Sequence, residues 1–337
     1  MNPISANPVY DVCLSYQKTA AMNAAIKLDI FTTIGEQRLS ADQIAKAVDG
    51  SLRGVRILCD FLCVIGLLDK DTGIYKLSDD AKRFLDRSSP YCLSDIIDFF
   101  AAPETVSLVM SDPSSYVKTG GASGLANLSS DNPVWVKYAQ AMVPFASVEA
   151  KRTAAYLSKR AMHPLNVLDV AAGHGLFGIE VAKLRGDASV TAIDWANVLE
   201  VAKKNADSAC LGNRYKTISG DAFELDWGNN YDLILLPNIL HHFDPDGCVH
   251  LLVKARQSLC AKGSVFVIDM MPNPDRVSPP EQAAFAFLML ATTPKGDAYT
   301  CAEYETMAKA AGLTLIDSMR LLPTPQTLLE FRIENME

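Results

Sequence analysis

From Leu165 onward, short apolar runs alternate with stretches of helical period: NVLDVA, GIEVAKL, SVTAID, VLEVAKKNA, YKTISGD, YDLILLP, VHLLVKARQSL and SVFVIDMMP. Strands that are apolar along their whole length cannot face water on either side. Their alternation with helices predicts a parallel sheet covered on both faces. TLIDSMRLL and TLLEFRI then flank PTPQ, which reads as a terminal hairpin. The expected architecture is an α/β doubly wound sheet closed by an antiparallel last strand.

The N-terminal half has a different period. Residues 10–30 read as one helix, and a second follows the N-cap Ser40, with Asp42 in its first turn. A third spans residues 53–68, and Tyr75 to Ser78 reads as a strand of a small hairpin after the turn at Asp71 to Gly73. Three helices and a hairpin are the order of a winged helix. A DNA reader would need a basic, polar third helix. Here Ile57, Leu58, Phe61, Leu62, Val64, Ile65, Leu67 and Leu68 make it apolar almost all round, with only Arg53 and Arg56 positive. Such a helix is expected to be buried against a second subunit in a homodimer. The expected organisation is residues 1–130 for this mainly helical domain, 131–163 for connecting helices and 164–337 for the sheet domain.

The formal net charge of −8 opposes a nucleic-acid partner, which requires clustered Lys and Arg. No apolar run approaches the roughly eighteen residues of a membrane span, and MNPISANPVYD lacks the order of a signal peptide. A soluble cytoplasmic protein without membrane contact is expected. The eight scattered cysteines read as reduced thiols.

Ligands of doubly wound sheets sit beyond the carboxyl ends of the strands. After the first strand comes Ala171-Ala172-Gly173-His174-Gly175, where Gly173 and Gly175 offer bare backbone to a ligand. Asp194 follows the second strand, about twenty residues past the glycines, where a carboxylate can accept from a ribose diol. NAD and S-adenosylmethionine fit these features equally well.

Asp169 within the first strand and Gly220-Asp221-Ala222-Phe223 after the third complete a combination that resembles the S-adenosylmethionine pocket of class I methyltransferases, a Rossmann-like fold. The resemblance implies a cofactor site of Asp169, Ala171, Gly173, Gly175, Asp194, Trp195, Asp221, Ala222, Phe223 and Asn238. In it the glycine turn faces the amino-acid end and Asp194 holds the ribose. Asp221 takes the adenine amino group beside Phe223, and Trp195 stacks on the adenine's other side.

YDLILLPNILHHFD narrows the resemblance. With the winged-helix half, the Leu240-His241-His242-Phe243-Asp244 element resembles the Leu-His-Asp-Trp-Asp of metal-independent small-molecule O-methyltransferases, which include plant phenylpropanoid and bacterial natural-product enzymes. The match implies transfer of a methyl group to a hydroxyl, phenolic in the expected case, of an aromatic or polyketide-like metabolite. It puts His241 at the catalytic-base position, although His242 replaces the usual Asp, so either imidazole is a candidate. Asp269 and Asp297 are candidates to orient the base. In such enzymes the helices bearing Met142, Phe145, Phe285 and Met289 wall the acceptor pocket, while the default reading of these side chains is core.

Ala171 and Ala172 stand where the family commonly has two glycines. His174 in the glycine turn is expected beside solvent or cofactor without a chemical function, and His163 and His250 read as structural. Asp244, Asp246 and Asp269 would be the oxygen donors if a metal were used, but the histidine pair and the winged helix favour the metal-independent branch, so no metal is expected. Two alternatives stay open: a NAD-linked oxidoreductase on the same glycine turn, and a methyltransferase fold repurposed for a non-methylating reaction.

Overall fold

The computed structural model describes residues 7–124, 130–160, 162 and 165–334. His163 lies outside them. The chain divides into two compact units, one through Val106 and one from Ser107.

In the first unit, helix Ser15–Lys27 ends before Asp29, which takes a left-handed φ of 54°, and helix Ile30–Ile34 follows. The single helix expected over residues 10–30 is therefore broken. Helix Ala41–Ala47 starts at a reciprocal cap between Ser40 and Gln43, and helix Leu52–Val64 at the Ser51 hydroxyl, which accepts from Gly54 N–H. The latter stops short of residue 68 because Gly66 turns the chain at φ 79° and Leu68 opens a strand. Strands β1 (Leu39–Ser40), β2 (Leu68–Asp71) and β3 (Ile74–Leu77) pair antiparallel in the order β1-β3-β2. The core gathers Ile26, Ile30, Phe31, Ile34, Ile44 and Leu62. Helix Leu52–Val64 buries only Val55, Cys59 and Leu62 within its own chain. Its Leu52, Ile57 and Val64 stay exposed, as do Val9, Tyr10, Val12 and Tyr16 nearer the N-terminus.

The second unit is built on a seven-stranded sheet. Its strands are β4 (Asn166–Val170), β5 (Ser189–Asp194), β6 (Tyr215–Ser219), β7 (Tyr231–Pro237), β8 (Leu259–Asp269), β9 (Leu313–Arg320) and β10 (Thr327–Ile333). The order is β6-β5-β4-β7-β8-β10-β9, with β10 antiparallel to both of its neighbours and the pairs from β6 to β8 parallel. Consecutive strand residues serve opposite faces. Val167, Leu233, Leu235 and Phe266 pack with helices Val143–Lys159 and Leu176–Ala182. Leu168, Ile234, Leu236 and Val265 pack with helices Pro245–Ser258 and Cys301–Ala310. The chain winds outward from β4 through β5 and β6, then returns to β7. That reversal opens a crevice over the carboxyl ends of the central strands. Among the described residues no helix is long and apolar enough to cross a membrane.

Candidate active site

The turn after β4 carries three left-handed residues, Ala171 (φ 53°), Gly173 (φ 57°) and Gly175 (φ 74°). Asp194 at the end of β5 ties this turn down. Its Oδ2 accepts from Gly173 N–H at 2.8 Å and its Oδ1 from Trp195 N–H at 2.7 Å. Burial nevertheless pushes its carboxyl up to about 6.

Of the two alanines of the turn, one has a packing reason and the other sits under backbone strain. Ala172 is buried in a small cluster with Ala192 and Leu199, where its methyl fills space. Ala171 adopts a glycine-like conformation that costs a side-chain-bearing residue about 1–2 kcal/mol, against about 0.4–1 kcal/mol that glycine would add to the unfolded chain's entropy. Ala171→Gly is expected to stabilise the protein by about 0.5 kcal/mol, measured by urea unfolding. A loss of stability would show that the Ala171 methyl makes a packing contribution larger than its backbone strain.

Two residues assigned above to cofactor contact are buried elsewhere. Asp169 is completely buried beneath the turn, where its Oδ2 accepts from Gly178 N–H at 3.0 Å in the first turn of helix Leu176–Ala182. Burial raises its carboxyl to about 7. The bare face of Gly175 admits protein atoms rather than a ligand: a Cβ there would overlap the Tyr215 hydroxyl and stand 3.0 Å from Ala202 Cβ. Gly173, by contrast, has open space around it. His174 accepts from Leu176 N–H through Nδ1 at 3.2 Å, and burial lowers its imidazole to about 4, so it is a neutral acceptor within the turn.

After β6, Asp221 Oδ1 accepts from Phe223 N–H at 2.8 Å and shapes the turn that presents the Phe223 ring. That ring meets Phe243 and His250 edge-on, at 4.8 and 5.4 Å. Lys254 fixes the same turn by donating to the carbonyls of Phe223 and Leu225 at 2.6 and 2.7 Å.

After β7, Asn238 takes φ 53° and leads into a 3₁₀ turn, Leu240–His242. His241 is buried, and its Nδ1 lies 2.7 Å from Oδ1 of Asp269 at the end of β8. Asp269 is itself fully buried and accepts from Met270 N–H and from the Tyr304 hydroxyl, both at 2.8 Å. The His241 ring lies 4.4 Å from that of His242 and meets Phe285 edge-on at 4.8 Å. Burial and the neighbouring imidazole push His242 well below the ordinary histidine value. Asp297 reaches His241 only through its backbone N–H, which donates to the His241 carbonyl at 3.0 Å. Its carboxylate pairs with Arg276 at 3.1 Å. Of the two candidates, Asp269 holds the ring. Asp244, weighed above as a metal ligand, accepts from Lys295 at 2.8 Å and Gly247 N–H at 3.0 Å, and Asp269 is committed to His241 and Tyr304.

These strand ends surround a cavity of about 590 Å³. Of the expected site residues, Ala171, Gly173, Asp194, Trp195, Phe223, Asn238 and His242 line it. His241 is not in the lining but its ring lies 4.4 Å from that of His242, while Asp221 and Ala222 contribute turn geometry rather than wall. Met142, Phe145, Phe285 and Met289 do not line this cavity; Met289 is core and Phe285 braces His241.

The walls that replace them are Trp135 and Tyr138 of helix Pro133–Ala141 and the segment from Thr292 to Lys295. That segment is held by close backbone approach. Ala122 N–H donates to the Thr293 carbonyl at 2.9 Å, and a side chain at Gly121, Gly124 or Gly296 would collide with backbone atoms of Pro294, Thr292 or His241. The Gly-rich KTGGASG stretch is thus the seat of a cavity wall. Its run of small residues was the available signal.

A seven-stranded sheet with one reversed strand and a cavity across its central strand ends is the architecture of a methyltransferase. A family model for an O-methyltransferase domain matches residues 104–314, and one for an O-methyltransferase dimerisation domain matches residues 10–87. The chain belongs to the O-methyltransferase family.

A crystal structure of a Nostoc punctiforme protein assigned as an O-methyltransferase is 43% identical, with a TM-score of 0.92 over 98% of this chain and 99% of that one. Human N-acetylserotonin methyltransferase, solved with S-adenosylmethionine, is 19% identical with a TM-score of 0.83 over 99% of each chain. The 3-hydroxy-5-methyl-1-naphthoate 3-O-methyltransferase of Streptomyces sahachiroi is 23% identical over 92% of this chain and 90% of its own length.

The cofactor of this family, and of this protein as a member of it, is S-adenosylmethionine. The residues present fit that group: Gly173 exposes backbone, Asp194 stands at the end of β5, and aromatic rings of Trp195 and Phe223 flank the cavity.

Proposed function

We propose that the protein methylates a phenolic hydroxyl of a small aromatic or polyketide-like metabolite, with His241 as general base, and that it works as a homodimer. The observation that carries the base assignment is the buried His241–Asp269 pair. When bound, S-adenosylmethionine supplies an electrophilic methyl group on a sulfonium sulfur. Gly173, Asp194, Trp195, Phe223 and Asn238 would hold it in the cavity they line.

With Asp269 ionised, the Nδ1–H of neutral His241 donates to it, which leaves the lone pair on Nε2. A phenol of pKa about 10 is protonated at neutral pH, so Nε2 receives the hydroxyl proton as the oxygen attacks. Asp269 then stabilises the imidazolium, while Tyr304 and Met270 N–H keep the carboxylate from turning away. A flat apolar acceptor suits walls built from Trp135, Tyr138, Phe243 and Ile239. The relative named for a hydroxylated naphthoate supports the same acceptor class. The exposed Val9, Tyr10, Val12, Tyr16, Ile57 and Val64 of the first unit suit an apolar dimer contact.

The test is incubation with S-adenosylmethionine and a panel of naphthols, hydroxynaphthoates and simple phenols, followed by mass spectrometry. A product heavier by one methylene is expected. An isomeric or dehydrated product would point to a repurposed site, and methylation confined to non-aromatic alcohols would overturn the acceptor class. Sedimentation at micromolar protein should give the mass of two chains.

A further inference from the structure

Glu149 is a charged residue without an obvious structural reason. It lies on helix Val143–Lys159, is 1% exposed, and its Oε1 has no hydrogen-bond partner. Its carboxyl accepts from the side chain of Asn238, which offsets part of the cost of burial, and it lies close enough to Tyr138 to push that hydroxyl up. Asn238 and Tyr138 both line the cofactor cavity, so Glu149 forms the layer directly behind its wall.

The charges around it are unbalanced. Facing Glu149 are Tyr138 from helix Pro133–Ala141, Asn238 after β7, and Asp269 at the end of β8 with His241 and Tyr304 attached. Among the described residues, no basic side chain acts on Glu149. Among them too, Lys295 is the one cation in the cavity lining, and it is occupied by Asp244. Asp194 is held by backbone N–H groups. A buried carboxylate left uncompensated is costly, and the cavity it backs receives a ligand carrying a sulfonium charge.

We propose that Glu149 is the buried counter-charge of the cofactor cavity and makes the site prefer the sulfonium methyl donor to its thioether product. On transfer the methyl passes from sulfur to the acceptor oxygen, the hydroxyl proton goes to the base, and the sulfur becomes neutral. The attraction to Glu149 then weakens at the moment the product must leave. Burial already holds the Glu149 carboxyl up near 7, so the donor's charge should drive out its proton to solvent, whereas S-adenosylhomocysteine should do so less.

The inference rests on cofactor binding alone and is independent of which group acts as base. Its test is calorimetry on the full-length protein with S-adenosylmethionine and with S-adenosylhomocysteine, for the wild type, Glu149→Gln and Glu149→Asp, at pH 6 and pH 8. For Glu149→Gln at pH 8, Kd for the donor is expected to rise about tenfold and that for the product less than about threefold, with Glu149→Asp in between. Wild-type donor affinity should increase from pH 6 to pH 8. The glutamine variant should keep only the shallower dependence contributed by Asp194 and Asp169, whose carboxyls burial raises to about 6 and about 7.

Equal weakening of both ligands, or of neither, would overturn the proposal and leave Glu149 a structural acid. If the glutamine variant does not fold, the wild-type protein decides: proton release on donor binding at pH 6, read in buffers of different ionisation enthalpy, must exceed that on product binding. Equal release would overturn the proposal.

Discussion

Replacing His241 by alanine is expected to lower kcat by about 10²–10⁴, the contribution of a positioned general base, while Kd for S-adenosylmethionine changes by less than about twofold. The ring lies beside that of His242 and is not in the cavity lining, so its removal takes away proton acceptance without removing a cavity wall. His242→Ala should behave differently. That imidazole lines the cavity and is held neutral by burial and by its neighbour, so its loss should weaken ligand binding and lower kcat by less than about tenfold. Asp269→Asn should fall between them, because an amide cannot stabilise the imidazolium and can present its N–H to Nδ1, which selects the wrong tautomer. Turnover and equilibrium binding measured on the three variants decide the matter. A fully active His241→Ala alongside an inactive His242→Ala would move the base by one residue.

The sequence period disclosed the sheet because apolar runs such as YDLILLP fit only a strand covered on both sides, and β7 is buried from Leu233 to Pro237. Gly173, Asp194, Asn238 and His242 were legible for a related reason. In a doubly wound sheet every strand end points to one crevice, so position in the sequence already implies position in the site.

That logic does not extend to helices. Trp135 and Tyr138 form a cavity wall while Met142, a few residues on, does not line it. An apolar helix offers no internal sign of which side meets the core and which meets a cavity. Glu149 was hidden for the same reason, since an acid in VPFASVEAKRTAAYL reads as a solvated position until tertiary packing covers it. Glycines are ambiguous in another way. The space at a missing Cβ can be left open, as at Gly173, or filled by the protein's own atoms, as at Gly175, and only packing distinguishes the two.

Gly175→Ala should therefore be among the most damaging single changes in the sheet unit. The residue sits at φ 74°, where a side chain costs about 1–2 kcal/mol. The new methyl would also press on the Tyr215 hydroxyl and on Ala202, adding about 1–3 kcal/mol of overpacking. The expected loss is about 2–5 kcal/mol by urea unfolding, with weaker cofactor binding because Gly173 shares the distorted turn.

The two contributions can be separated through Tyr215, whose buried hydroxyl has no hydrogen-bond partner and is kept un-ionised by burial and by Asp169 and Asp194. Tyr215→Phe alone should raise stability by about 1 kcal/mol, since it removes an unsatisfied buried polar atom. In the double variant the phenyl ring frees the space the methyl needs while the backbone strain persists. Gly175→Ala should thus cost about 1–3 kcal/mol less in the Tyr215→Phe background than in the wild type, a coupling typical of residues in contact. An undiminished cost in the double variant would mean that the backbone conformation alone demands glycine and that the close approach of Tyr215 is incidental.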